Sequence, residues 1–399
     1  MAATGSRVSL LHGSRKGTSS AAGSTGSRPD GPLIAVSADR RPDRCAALVA
    51  VLAAGGLDAL VVSHLPNVRY LTGFTGTAAI VAVLRSGEFV FVTDFRYATQ
   101  VVDEVGDMAR IEVVANEPLS RMLEVLGGYP GIARVGVESH VVTWKTAERL
   151  RAAGRWDFEP HEGLVEGLRI RKDPGEIAAI REAGRVALEA LESALELARP
   201  GIREAEVAAR LELELRQRGS EWHPFPTIVA SGPRSALPHA GTSDREIGRG
   251  DFLLLDFGAQ IDGYCADVTR TVVVGARADD RQRAIYDIVH DAQRQARERV
   301  AAGMSGREAD ALARSVIERR GFGERFGHSL GHGLGLEVHE EPRLSRMNEQ
   351  PLPEGAVVTV EPGIYVPGWG GVRLEDDVAL TAAGPELLTD GRTELRELV

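Results

Sequence analysis

The sequence predicts an α/β layer domain followed by a second domain made of two similar halves. Three observations carry that prediction. Between about Asp39 and Pro160, short apolar strands alternate with helical stretches, the pattern of an α/β layer. At Asp173-Pro-Gly-Glu176 a strong helix start opens a new region. Within that region a helix, a glycine break, a second helix and a closing glycine occur twice.

In the first region, Arg44 to Gly55 reads as a helix and Ala59 to Ser63 as a short strand. Ala78 to Arg85 and Glu88 to Thr93 read as a hairpin across Ser86-Gly87. Tyr97 to Val105 reads as a helix, and Ile111 to Ala115 and Val135 to Glu138 as strands. Asp94 and Arg96 follow a strand end, and one such pair reads as structural rather than chemical. The second region begins with Asp173 as N-cap, Pro174 at the first helical position and Glu176 closing a capping box. That helix runs towards Leu197 and stops at Pro200-Gly201, which sets the domain junction near residues 165–172. The first copy of the repeat runs from Gly201 through Arg210 to Arg218-Gly219. The second runs from Gly303 through Arg314 to Arg320-Gly321, with Ser305 and Glu308 as a capping box.

A chain of 399 residues has room for two or three domains. With 43% apolar and 26% charged residues its composition is that of an ordinary globular protein. A net charge of −10 argues against nucleic acid as partner. No apolar run is long enough to span a bilayer, so no membrane role is expected. Cys45 and Cys265 lie far apart and form neither a disulfide framework nor a thiolate metal site, which suits the cytoplasm. Residues 1–32 are rich in Ser, Gly, Ala and Thr and hold no acid before Asp30. They read as a disordered or processed tail, with an organelle transit peptide or an over-extended start as the alternatives.

The chemistry concentrates after each repeat. Gly219 is followed by His239, Asp256 and Asp267, and Gly321 by His339, Glu361 and Glu375. Each half thus offers one histidine and two carboxylates in the same order. Four carboxylates can share a dry pocket only if cations neutralise them. In the first half the apolar flanks of Asp256 mark a strand, and Asp262-Gly263 is a two-residue hairpin turn. That turn sets Asp267 opposite Gly258 and makes Asp256 its diagonal neighbour on the same face, roughly 7–8 Å away. The second pair is less regular. Glu361 precedes Pro362-Gly363, the loop Gly368-Trp-Gly-Gly371 has no evident register, and Asp376 and Asp377 compete with Glu375, alternation alone allowing Asp377. His328, His332 and His339 fall within twelve residues of a chain that has ten histidines. The glycines around His332 do not form a dinucleotide loop, because no strand-then-helix context surrounds them.

Leu255-Asp-Phe-Gly258, Ala266-Asp-Val-Thr-Arg-Thr271, Gly331-His-Gly-Leu-Gly-Leu-Glu-Val-His-Glu340, Val360-Glu-Pro-Gly-Ile-Tyr365 and Gly371-Val-Arg-Leu-Glu-Asp376 resemble the pita-bread metallopeptidases. That family includes aminopeptidase P, prolidase, methionine aminopeptidase and creatinase. Pro66-Asn-Val-Arg-Tyr-Leu-Thr-Gly-Phe74 resembles the creatinase-like N-terminal domain. The resemblance implies a creatinase-like α/β domain over residues 33–168. Over residues 169–399 it implies an α+β pita-bread domain with internal pseudo-two-fold symmetry. It implies Asp256, Asp267, His332, Glu361 and Glu375 as ligands of two divalent ions, with Asp267 and Glu375 bridging. Oxygen-rich ligation with one imidazole suits Mn²⁺, with Co²⁺ or Zn²⁺ also suitable. His239 and His339 are implied as substrate-contacting proton carriers, Glu361 as proton donor to the leaving nitrogen, and Arg373 and Tyr365 as support. His328 is expected to be structural.

The implied activity is hydrolysis of proline-containing peptides at an Xaa-Pro bond by a hydroxide bridging the two ions. The expected form is an Xaa-Pro aminopeptidase. The alternative is an Xaa-Pro dipeptidase, for which Arg343 or Arg346 would hold the substrate carboxylate. A metal-free creatinase-like hydrolase or a binding protein would require missing ligands. The resemblance also implies a homodimer.

Overall fold

Strand-forming Val, Leu, Ile and Phe runs separated by short polar turns build a mixed sheet with helices packed against it. The computed structural model describes residues 39–399; the tail expected over residues 1–32 lies outside them. The N-terminal domain comprises α1 (Arg41–Gly55), β1 (Ala59–Val62), α2 (Leu65–Thr72), β2 (Ala79–Leu84), β3 (Phe89–Asp94), α3 (Gln100–Glu104), β4 (Arg110–Val114), α4 (Pro118–Leu126), β5 (Arg134–Glu138), α5 (Trp144–Ala152), β6 (Asp157–His161) and α6 (Glu166–Arg169). Its six strands form one sheet in the order β4-β3-β2-β1-β5-β6. The anticipated hairpin is present, with Ala79 opposite Thr93.

One local reading changes, and several elements were not read at all. The stretch from Tyr97 to Val105 is not one helix. The Asp94 side chain caps a separate 3₁₀ turn over Phe95–Tyr97 by accepting from Arg96 N–H, and α3 starts only at Gln100. Residues 65–72, which carried no secondary-structure reading, form α2. Pro66 lies in the first turn of α2, where its missing N–H costs nothing, and Gly73 ends the helix in the left-handed region. Helices α4 and α5 and strand β6 went unread. Strand β6 contains Pro160, which a sheet tolerates at its edge, and β6 is the edge strand.

After the loop 170–173, the second region forms two helix pairs. These are α7 (Pro174–Leu195) with α8 (Glu204–Gln217), and α9 (Asp280–Arg299) with α10 (Gly306–Arg319). Asp173 and Glu176 make the expected capping box, as do Ser305 and Glu308. Gly219 and Gly321 close α8 and α10 with positive φ.

The strands of the first half are β7 (Ile228–Ser231), β8 (Phe252–Phe257), β9 (Gln260–Ile261), β10 (Tyr264–Cys265) and β11 (Val268–Val274). Those of the second are β12 (Gly331–Gly333), β13 (Glu340–Leu344), β14 (Val357–Val360), β15 (Gly363–Val366), β16 (Gly370–Arg373), β17 (Asp376–Thr381) and β18 (Gly384–Leu387); β19 (Arg396–Leu398) returns to the first sheet. The two main sheets run β19-β11-β8-β7 and β13-β12-β14-β17-β18. Thus β7-β8-β11 and β12-β14-β17 are equivalent antiparallel triplets, each packed by its own helix pair. Leu191, Leu211, Leu253 and Val272 belong to one apolar core and Val289, Ile317, Val358 and Val378 to another. Among the described residues, no helix is long and apolar enough to cross a membrane.

Candidate functional site

The site lies where the two triplets meet. Asp262 and Gly263 form the two-residue turn with φ of 48° and 79°, both left-handed as a type I′ hairpin requires. Tyr264 pairs with Ile261, and the same register continues as Val268 opposite Phe257 and Thr269 opposite Asp256. Asp267 is therefore the diagonal neighbour of Asp256, as the turn predicts. The second hairpin keeps one register as well. Gly363 pairs with Arg373 and Val360 with Asp376, so Glu361 and Glu375 face each other between the two ladder segments. The returning strand is broken at Leu374-Glu375 because Glu375 leaves its own hairpin. It forms a bridge to Thr269 of the first half instead, donating its N–H to the Thr269 carbonyl at 3.1 Å.

The carboxylates of Asp256, Asp267, Glu361 and Glu375 line one cleft of roughly 480 Å³ with His239, His328, His332, His339, Arg343 and Arg373. Ligand atoms of Asp267, His332 and Glu375, all buried, lie within 4.8 Å of one another. His332 Nε2 stands 3.9 Å from Asp267 Oδ2 and 3.5 Å from Glu361 Oε1. Its Nδ1 lies 3.0 Å from the Gly333 carbonyl. That contact holds the proton on Nδ1 and leaves Nε2 free to ligate. Burial pushes the imidazole down to about 3, so it is neutral at ordinary pH. Gly331 and Gly333 allow this placement. A Cβ on either would stand 2.0 Å from the Thr359 carbonyl oxygen or 2.2 Å from that of Glu341.

Burial raises the Glu375 carboxyl to about 8, with the Asp256 charge adding to the effect. Asp267 and Glu361 are raised well above the ordinary range, by burial first and by Glu375 next. The buried Asp267 Oδ1 has no hydrogen-bond partner. A crowded set of carboxylates with an unpartnered oxygen, beside a neutral imidazole, fits divalent cations and little else.

These motifs and this fold are matched among known proteins. The model described as metallopeptidase family M24 matches residues 178–382, and the creatinase/prolidase N-terminal domain matches residues 44–171. The chain belongs to metallopeptidase family M24. An uncharacterized peptidase of Bacillus subtilis, YqhT, is 42% identical over 341 residues, 85% of this chain and 96% of that protein. A solved Xaa-Pro dipeptidase from Bacillus anthracis superposes with a TM-score of 0.86 at 40% identity, over 90% of this chain and all of that one. An X-Pro aminopeptidase from Thermotoga maritima gives 0.81 at 38% identity, over 86% and 98%. The two-domain M24 architecture is thus the one anticipated, with an α/β layer domain before an internally repeated α+β domain.

Around this M24 cleft the buried Arg373 ties several groups together. Its guanidinium binds the Asp256 carboxylate, the Tyr365 hydroxyl at 2.9 Å, Thr269 Oγ1 at 3.1 Å and the Pro238 carbonyl at 3.1 Å, beside His239. Tyr365 does not line the cleft but lies 2.9 Å from His328 Nε2. His328 is anchored from behind, its carbonyl accepting from Arg314 at 2.7 Å. The His339 ring packs edge-on to His332, centroids 4.4 Å apart, and burial lowers its pKa with Arg343 and His239 adding.

Asp376 and Asp377 stay out of the cleft. Asp376 is held by Arg270, Arg297 and Gln293, while Asp377 accepts the Asp267 N–H at 3.0 Å. Arg343 reaches the cleft, whereas Arg346 turns away to Glu318. Two supporting residues escaped the sequence reading. Thr269 Oγ1 donates to Glu375 Oε2 at 2.6 Å, and Thr359 Oγ1 accepts from His332 N–H at 3.0 Å. Strand alternation held the signal, since Thr269 is two residues from Asp267 and Thr359 two from Glu361.

Proposed function

We propose that this M24 enzyme is an Xaa-Pro dipeptidase whose centre takes two divalent ions, Mn²⁺ being the best match to its oxygen-rich donors. Asp256, Asp267, His332, Glu361 and Glu375 would hold them. When bound, such ions supply Lewis acidity and lower the pKa of water. The chain's own groups do the rest. Arg373 fixes the Asp256 carboxylate, Thr269 fixes that of Glu375, and the Gly333 carbonyl orients His332. His339 and His239 line the cleft beside the ligand set, where a ring N–H can steady the negative charge that develops on the scissile carbonyl oxygen. The Glu361 carboxyl passes a proton to the leaving proline nitrogen.

The dipeptidase reading rests on Arg343. It lines the cleft beside His339, and its own partner, Glu341, is loosely placed at 3.9 Å. A guanidinium so placed can take the free carboxylate of an Xaa-Pro dipeptide in bidentate fashion. The aminopeptidase reading has one observation in its favour. A second cleft of roughly 570 Å³ continues past His339 and Arg343, with room for a longer peptide. Rates on Xaa-Pro and Xaa-Pro-Xaa with added Mn²⁺ separate the two. The expected result is dipeptide preference, with Arg343→Ala raising KM for the dipeptide by about tenfold or more, the loss of one charge-assisted contact. Equal turnover of tripeptide in the unaltered enzyme, unaffected by Arg343→Ala, would establish the aminopeptidase instead.

A further inference from the structure

A second group of ligand-type side chains gathers where the N-terminal domain meets the loop that carries His339. His64 is the N-cap of α2, His140 lies in the turn after β5, and Glu166 opens α6. One ligand atom from each lies within 4.8 Å of the other two. Glu166 Oε1 stands 3.7 Å from His64 Nδ1 and 3.2 Å from His140 Nε2. The first separation is too long for a hydrogen bond. His64 Nδ1 is buried and has no hydrogen-bond partner. Burial opposes a charge on His64, yet the Glu166 and Glu337 carboxylates raise it to about 9, so an ion here takes the place of a proton. Donors about 2.0–2.1 Å from a tetrahedral Zn²⁺ stand about 3.3 Å from one another.

The surroundings are arranged in the same sense. His64 Nε2 lies 3.2 Å from Glu337 Oε1, and Glu337 Oε2 accepts from Arg169 at 2.8 Å. A ligating histidine whose other N–H is held by a carboxylate is the usual outer support of a metal site. Asn67 Nδ2 steadies Glu166 Oε1 at 2.5 Å without using its remaining lone pair. His140, Glu166 and Glu337 line the cleft that continues past His339 and Arg343, so an ion can enter from there and keep one position open to it.

We propose that His64, His140 and Glu166 form a mononuclear site for a Zn²⁺-class divalent cation, separate from the Asp267–Glu375 centre. Two imidazoles and one carboxylate favour Zn²⁺ over Mn²⁺, the reverse of the carboxylate-rich centre. The ion ties three segments of the N-terminal domain together and, through Glu337, to the loop of His339.

Zn²⁺ binding to the full-length, metal-free chain tests this by calorimetry and by metal counting after gel filtration. His140 is half-exposed and on a turn, so His140→Ala keeps the fold. It should bind one Zn²⁺ fewer per chain than the unaltered protein and lose part of the Zn²⁺-dependent rise in Tm. Glu337→Gln should retain the site with about 10- to 100-fold weaker affinity. Asp267→Asn/Glu375→Gln, which cripples the carboxylate-rich centre, should still take up one Zn²⁺ that disappears when His140→Ala is added. Equal Zn²⁺ uptake by the unaltered protein and His140→Ala would overturn the proposal. So would a folded Asp267→Asn/Glu375→Gln protein that binds none.

Discussion

Replacing Thr269 with valine tests whether the contact between the two halves and the integrity of the site are one thing. The substitution keeps the side chain's shape and removes one hydroxyl. That hydroxyl donates to Glu375 Oε2 at 2.6 Å and accepts from Arg373 Nε at 3.1 Å, both fully inside the protein. Each is a hydrogen bond to an ionisable group, worth about 1.5–3 kcal/mol. The added methyl returns about 0.8 kcal/mol of burial. The expected net loss of stability is about 2–5 kcal/mol, and Mn²⁺ affinity should fall by about 10- to 100-fold because Glu375 is no longer oriented. Thr271→Val is the matched control. Its hydroxyl lies two residues along the same strand and bonds only the backbone of Arg373. It should cost stability alone. Urea unfolding of the metal-free proteins and Mn²⁺ titration of the folded ones read the two effects separately. If Thr269→Val is no less stable than Thr271→Val and its Mn²⁺ affinity changes by less than about twofold, the hydroxyl does not support the site.

Two further outcomes follow from the same geometry. Gly331→Ala would set a Cβ 2.0 Å from the Thr359 carbonyl oxygen, forcing β12 away from β14. It should cost about 3 kcal/mol or more and weaken metal binding, whereas Gly327→Ala, with open space around it, should do neither in a thermal melt with and without Mn²⁺. The metal-free protein should lose stability as pH rises. Burial and the neighbouring Asp256 hold Glu375 at about 8 in the fold against an ordinary 4.5, so across that window the folded state binds more protons than the unfolded one. Denaturation midpoints should therefore fall between pH 5.5 and 8 without metal and flatten when Mn²⁺ takes the proton's place; a flat metal-free profile would count against the carboxylate crowding.

Much of this site was legible because short-range chemistry dictates it. Asp262-Gly263 admits one turn type, that turn fixes a register, and the register puts Asp256 and Asp267 on one face. Glu361 and Glu375 were harder to place. Pro362 interrupts the ladder, and Glu375 takes its backbone partner from the other half, a pairing that no local pattern encodes. Resemblance supplied Glu375, and the geometry distinguishes it from Asp376 and Asp377, which are bound elsewhere. Arg373 was anticipated as support, but its reach to Pro238 and Thr269 depends on tertiary packing. In the N-terminal domain, α5 was missed because only Leu150 of its nine residues is buried, which leaves no apolar stripe to read. The cluster of His64, His140 and Glu166 draws on positions over a hundred residues apart, with no spacing signature.

The Thr269–Glu375 bridge also bears on how the enzyme is made. Asp256 and Asp267 leave the ribosome well before Glu375, which follows Asp256 by 119 residues. At about 5–20 residues per second that interval lasts roughly 6–24 s. During it, the acids of the emerging first half lack the second-half strand that carries Glu375, and for most of it they lack His332 as well. The cleft is thus complete only once Glu375 has emerged and docked on Thr269, so its assembly waits on a contact that the first half cannot make alone.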